Sequence, residues 1–117
     1  MGQWGEIELE PEVENWYVAL PEHERAIAAR HIDRLGDRGV LLDEPHTRQL
    51  DGKLRELRFY IETHLWRVTY FIATGRRIIL LTVFPKTRPQ ERREVERARR
   101  AMARCLEQGH TADDTDS

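Results

Sequence analysis

The chain has 117 residues, 34% of them charged, with a formal net charge of −2 and one cysteine. That length suits a single domain with one modest core, while the lone Cys105 excludes an internal disulfide and no Cys/His cluster has metal-ligand spacing. No stretch is long and apolar enough to span a bilayer and no charged start leads into an apolar signal region, so a cytoplasmic location is expected.

The small net charge conceals a division along the chain. Residues 1–47 carry 4 basic and 11 acidic groups, residues 48–104 carry 15 basic and 6 acidic groups, and residues 105–117 add 4 acidic groups. A concentrated positive region inside a weakly acidic protein is a footprint for a polyanion, either nucleic acid or an acidic protein segment.

Taken in order, Trp4 to Leu9 reads as a short strand before a helix signal. Pro11 fits the first turn of a helix in which Val13, Trp16, Tyr17 and Leu20 fall at i, i+3, i+4 and i+7. Pro21 restarts the chain as a second helix, with Glu22 and Glu24 in its first turn, Ala28, Ile32 and Leu35 on one stripe, and Gly36 and Gly39 marking its end. The two helices form a hairpin expected to lie on the core face of a sheet, with His31 beside the apolar stripe as a packed or surface residue. Residues 40–53 are expected to be a connecting loop, punctuated by Pro45 and Asp51-Gly52, from which Arg48 and Lys53 could extend a positive face.

Residues 54–86 hold three runs rich in β-branched and aromatic residues, Leu54 to Ile61, Leu65 to Ala73 and Arg77 to Phe84, and read as an antiparallel meander. Alternation places Leu57, Phe59 and Ile61 on one face and Glu56, Arg58 and Tyr60 on the other. In the second run, Trp66, Val68, Tyr70 and Ile72 oppose Arg67 and Thr69. Burying both apolar sets together predicts Phe59 opposite Val68, Ile61 opposite Trp66, Arg58 opposite Thr69 and Tyr60 opposite Arg67. Thr74-Gly75-Arg76-Arg77 suits a two-residue type II′ turn. Beyond it, Ile79, Leu81 and Val83 are expected on the core face, with Ile78, Leu80, Thr82 and Phe84 on the arginine face. Alternation continued past Pro85 points Lys86 to the arginine face as well. The third strand is apolar on both faces, as an interior strand covered from both sides would be.

Thr87 and Gln90 match a capping box for a last helix, in which Val95, Ala98, Met102 and Cys105 or Leu106 form an apolar stripe that would cover the last strand. Arg93, Arg97, Arg100 and Arg104 form a second stripe. Lys86 and Arg88 oppose the dipole of a helix starting there but favour an anion at its free N–H groups. Residues 109–117 are expected to form a disordered acidic tail to a domain spanning 1–108.

The order strand, helical hairpin, three-stranded antiparallel meander and C-terminal helix, with the segments LRELRF, WRVTYF and IILLTVFPKTR, resembles the RelE/ParE superfamily of bacterial toxins, specifically the HigB-type toxins. The resemblance runs roughly from Ile7 to Met102 and is most specific at Glu56-Leu57-Arg58, Trp66-Arg67-Val68 and Phe84-Pro85-Lys86-Thr87. It implies an α+β, RelE-like fold and the toxin of a type II toxin-antitoxin system. Such a toxin is a metal-independent, cofactor-free endoribonuclease, an mRNA interferase that cleaves translated message on the ribosome and arrests growth. Its implied partners are a cognate antitoxin, the ribosome and mRNA, with operator DNA bound by the toxin-antitoxin complex through the antitoxin, and no membrane.

By the same resemblance the catalytic positions are Arg58, Arg67 and Lys86, with Lys53, Tyr60, Arg88 and Arg48 as RNA contacts. Related toxins often place a catalytic Tyr or His near the C-terminus. Here no tyrosine follows Tyr70, and His110 falls in the expected tail. RNA can be cut without a metal by its own 2′-hydroxyl, so positioning and phosphate stabilisation are what arginine and lysine would have to supply. Glu56, on the same face, would order Arg58 or Arg67 or act as a base. Two rival readings share the fold: a ParE-like inhibitor of DNA gyrase, and a noncatalytic protein-binding module.

Overall fold

The computed structural model describes residues 3–86 and 91–108. Strand β1 (Glu6–Leu9) is followed by helices α1 (Pro11–Ala19) and α2 (Glu22–Arg38), then by strands β2 (Thr47–Asp51), β3 (Leu54–Ile61), β4 (His64–Ala73) and β5 (Arg77–Pro85), and by helix α3 (Glu91–Glu107). The strands form one sheet in the order β1-β5-β4-β3-β2. β1 runs parallel to β5, and the other pairings are antiparallel. This is the expected α+β arrangement with one strand added. Thr47–Asp51, read from sequence as loop, pairs along the first half of β3 and forms the sheet edge.

The helical hairpin covers one face. Val13 of α1 and Ala28, Ile32 and Leu35 of α2 are buried against Leu57, Phe59, Ile61, Val68 and Tyr70. The apolar spacing of both helices therefore does what the sequence requires of it, and Trp16 packs against Trp66 with ring centroids 5.3 Å apart. Gly39 ends α2 at φ 52°, and a Cβ there would lie 2.1 Å from the Trp4 ring, so both conformation and space call for glycine. α3 covers part of the opposite face, packing Ala98, Ala101 and Cys105 against Leu54, Phe71, Ala73, Ile79 and Leu81. Cys105, not the 41% exposed Leu106, completes its stripe.

Three expectations about the meander are corrected. Phe59 faces Trp66, Leu57 faces Val68 and Arg58 faces Arg67, two residues away from the expected register, because a tight turn at Glu62 and Thr63 joins Ile61 directly to its partner His64. A shift of two preserves the faces, so the apolar set stays buried. The connection from β4 to β5 has three residues, Thr74, Gly75 and Arg76, since Ala73 pairs with Arg77. Gly75 and Arg76 both have positive φ, at 83° and 59°.

A bulge lies between these strands: Thr69 pairs with Thr82, but Tyr70 pairs with Leu80. Leu81 is the extra residue, and it inverts the alternation before it. Ile78 and Leu80 consequently lie under the helical hairpin and Ile79 and Leu81 under α3, the reverse of the expected faces. Val83 and Thr82, beyond the bulge, keep theirs. The capping residues Thr87 and Gln90, the site candidate Arg88, and the tail 109–117 lie outside the described residues.

Candidate functional site

The face turned toward α3 changes character in steps across the strands. One row holds Glu56, Thr69 and Thr82, and the next holds Arg58, Arg67 and Phe84. The third pairs Tyr60 with Leu65, whose carbonyl accepts the Lys86 N–H at 2.9 Å. Pairing thus carries one residue past Pro85, and Lys86 sits on the row of Tyr60. Pro85 does not divert the lysine, because its missing N–H is not needed at that position.

Two arginines directly opposite each other repel, and a buried carboxylate between them offsets this. Glu56 is fully buried; its Oε1 accepts a hydrogen bond from Arg67 Nε at 2.7 Å, and its Oε2 lies 3.7 Å from Arg58 Nε and 3.9 Å from Arg48 Nε. Oε2 and Arg58 Nε are both buried without a hydrogen-bond partner among the described residues, so their attraction is electrostatic only. Thr69 and Thr82 close the floor of the site with a hydroxyl pair at 2.5 Å.

The arginines differ in how far their charge is used. Arg67 is 5% exposed. Its Nη2 donates to Glu91 Oε1 at 3.2 Å and its guanidinium lies 5.0 Å from the Phe84 ring centroid. Arg48 donates from Nη2 to Glu91 Oε2. The terminal nitrogens of Arg58 make no hydrogen bond among the described residues, and neither does the ammonium of Lys86. These two line an open depression of about 380 Å³ together with Tyr60, Thr63, His64, Leu65 and Pro85. Tyr60 is 61% exposed. A second cavity shares Arg58, Tyr60 and Leu65 and continues over the edge of β3 to Pro45, His46, Phe59 and His31. There His31 stacks on Phe59 at 4.7 Å, and burial, followed by the charges of Arg34 and Arg30 and by His46, lowers its pKa.

The structure therefore brings together Arg58, Arg67, Lys86, Tyr60 and Arg48 on one face. Lys53 is separate: it stands at the turn between β2 and β3, five residues from Arg58 along the strand, roughly 17 Å away. Sequence reading missed Glu91, which reaches the site from the first residue of α3, and the hairpin residues Thr63 and His64. Among the described residues no cluster of His, Cys, Asp or Glu could hold a metal ion. Two cations whose terminal donors are free among the described residues, beside a third held by carboxylates, can bind an anion and neutralise charge that develops on it.

The comparisons agree with this architecture. Residues 15–104 match the model of the family described as Phage derived protein Gp49-like (DUF891). A comparison with curated proteins returns no match. Among solved structures, the chain is similar to one in the archaeal RelE-RelB complex from Pyrococcus horikoshii OT3, with a TM-score of 0.55 and 20% identity, covering 72% of this chain and 97% of that one. This chain has the RelE-like fold and belongs to the phage-derived Gp49-like family, which is a family of RelE-like toxins.

Proposed function

We propose that this chain is a HigB-type toxin of a type II toxin-antitoxin system, acting as a ribosome-dependent endoribonuclease on translated mRNA in the cytoplasm. One observation carries the reading: Arg58 and Lys86, from strands separated by β4, share one depression with their donors unengaged among the described residues. A phosphodiester placed there meets a guanidinium able to take two oxygens and an ammonium able to approach a third. The RelE-like fold of a family of toxins supports the same conclusion.

In this reaction the ribose 2′-hydroxyl gives up its proton to solvent water and attacks the adjacent phosphorus. The bond from phosphorus to the 5′ oxygen breaks, leaving a 2′,3′-cyclic phosphate and a free 5′-hydroxyl. Arg58 stabilises charge on the non-bridging oxygens as they become more negative. Lys86 contacts the leaving oxygen and gives it a proton. Arg67, nearly enclosed, holds the cationic floor and keeps Glu56 in place. Glu56 does not serve as base, because it is fully buried and turned into Arg67. Tyr60 offers an exposed ring on which a base stacks. The ribosome supplies the strand geometry that an open depression cannot impose. An antitoxin neutralises the basic face, and the complex binds operator DNA through the antitoxin.

The test is expression of the chain alone, with mapping of message ends in the arrested cells. Cuts within translated messages, suppressed by a small antitoxin encoded beside the toxin gene, are the expected result. Arrest with gyrase inhibition and intact messages would make this a ParE-like toxin. Absence of both would leave a noncatalytic binding module.

A further inference from the structure

Among the described residues, the depression at Arg58 and Lys86 has a second place beside it on this face where an anion fits. At the other, Arg48 of β2 and Arg67 of β4 converge on Glu91, each engaging a different oxygen of its carboxylate. That is also how two arginines would grip the non-bridging oxygens of a phosphodiester. We infer that Arg48 and Arg67 form a second phosphate subsite for single-stranded RNA, filled in the free protein by the Glu91 carboxylate, which the substrate displaces.

Glu56 and Glu91 differ in the ways this exchange requires. The Glu56 side chain has no exposure and stays with Arg67 throughout, so removing Glu91 never leaves a buried cation unpaired. The Glu91 side chain is 48% exposed and its partner Arg48 is 36% exposed, so water weakens their attraction and can receive the displaced carboxylate. Glu91 is also the first residue of α3, ahead of the part of the helix that packs on the sheet, and its rotation leaves Ala98, Ala101 and Cys105 in place. Arg58 and Arg67 share one row, with Arg48 one row to one side and Lys86 one row to the other, so the two subsites are offset by about one row, two residues or roughly 7 Å along a strand, a step that one nucleotide of an extended chain covers. With Glu91 in place, Arg48, Arg67, Glu56 and Glu91 sum to zero charge. Once it swings out they present a positive site.

This inference rests on reading the face as RNA-binding, and one titration separates the two. A labelled single-stranded RNA made uncleavable by 2′-O-methylation is titrated against wild type, Glu91→Gln, Glu91→Asp, Arg58→Gln, Arg48→Gln and the Arg48→Gln/Glu91→Gln pair. Removing the competing carboxylate spares the RNA from displacing it and leaves one more net positive charge at the subsite, equivalent to about one further phosphate contact. For a single strand that steepens the log affinity against log salt slope by about 0.7, and at about 0.1 M salt it tightens binding about fivefold. Glu91→Asp, too short to bridge both arginines, shifts the same way by less, and the gain vanishes in the pair lacking Arg48. If Glu91 only fastens α3, Glu91→Gln melts lower and binds no tighter, which overturns the inference while Arg58-dependent binding by wild type stands. If no protein binds the RNA, or Arg58→Gln binds as wild type does, the RNA reading falls and takes the subsite with it.

Discussion

The sheet face beneath α3 contains two regions built on the same strands, and they are stabilised by opposite means. On one side of the Glu56, Thr69 and Thr82 row, Leu54, Phe71, Ala73, Ile79 and Leu81 lie under Ala98, Ala101 and Cys105. On the other side lie Arg58, Arg67, Tyr60 and Lys86, over which Glu91 reaches from the beginning of the helix. The apolar region is held by burial and needs no particular partner. The polar region must carry its own counter-charge, and Glu56 supplies it. Ordered cations at a surface thus depend on one buried carboxylate, and the two regions should respond differently to substitution.

The largest effect falls on that carboxylate. Glu56→Ala leaves Arg67 buried with the half-exposed Glu91 as its remaining carboxylate among the described residues, and chemical denaturation should record a loss of about 3–5 kcal/mol. Comparable stability in the variant would mean that the arginines are not held electrostatically. Next is the boundary row. Thr69→Val removes the hydroxyl that pairs with the Thr82 hydroxyl and accepts the Thr82 N–H, and about 1–2 kcal/mol should be lost. At Arg58 the expectation is reversed: with no hydrogen bond from its guanidinium among the described residues, Arg58→Gln should unfold within about 0.5 kcal/mol of wild type while abolishing growth arrest.

The smallest effect concerns the other face. Because burial and neighbouring cations lower the pKa of His31 in the folded chain, the unfolded chain binds its proton more readily. The stability this contributes is full above the ordinary value of about 6.5 and declines as pH falls from there through the lowered folded value. His31→Gln should lack that part of the acid slope, seen in melting temperatures measured across the range. An unchanged slope would place the acid sensitivity elsewhere.

What the sequence made legible follows from where its alternation was informative. The helices and the faces of β3 and β4 followed from it because their apolar positions are separated by polar ones. Residues Ile78 to Leu81 are apolar on both sides, so alternation carried no signal there and the bulge at Leu81 stayed hidden. The two-residue error in register preserved every face, so hydrophobic patterning could not detect it; the turn at Glu62 and Thr63 decides it. β2, with the sequence TRQLD, is an edge strand formed by pairing with β3 and not by an apolar pattern of its own. The convergence of Arg58, Arg67 and Lys86 was legible from parity. Glu91 was not, because the path of α3 over the sheet determines which carboxylate meets Arg67, and no local spacing records it.

The most direct test of the central claim, that the Arg58 and Lys86 cations lining one depression act on an RNA phosphate, is cleavage of a message held on purified ribosomes. Wild type should cut it to a 2′,3′-cyclic phosphate end, and Arg58→Gln and Lys86→Gln should each slow the cut by about a hundredfold or more while folding normally. Cleavage by Arg58→Gln at the wild-type rate would contradict the account.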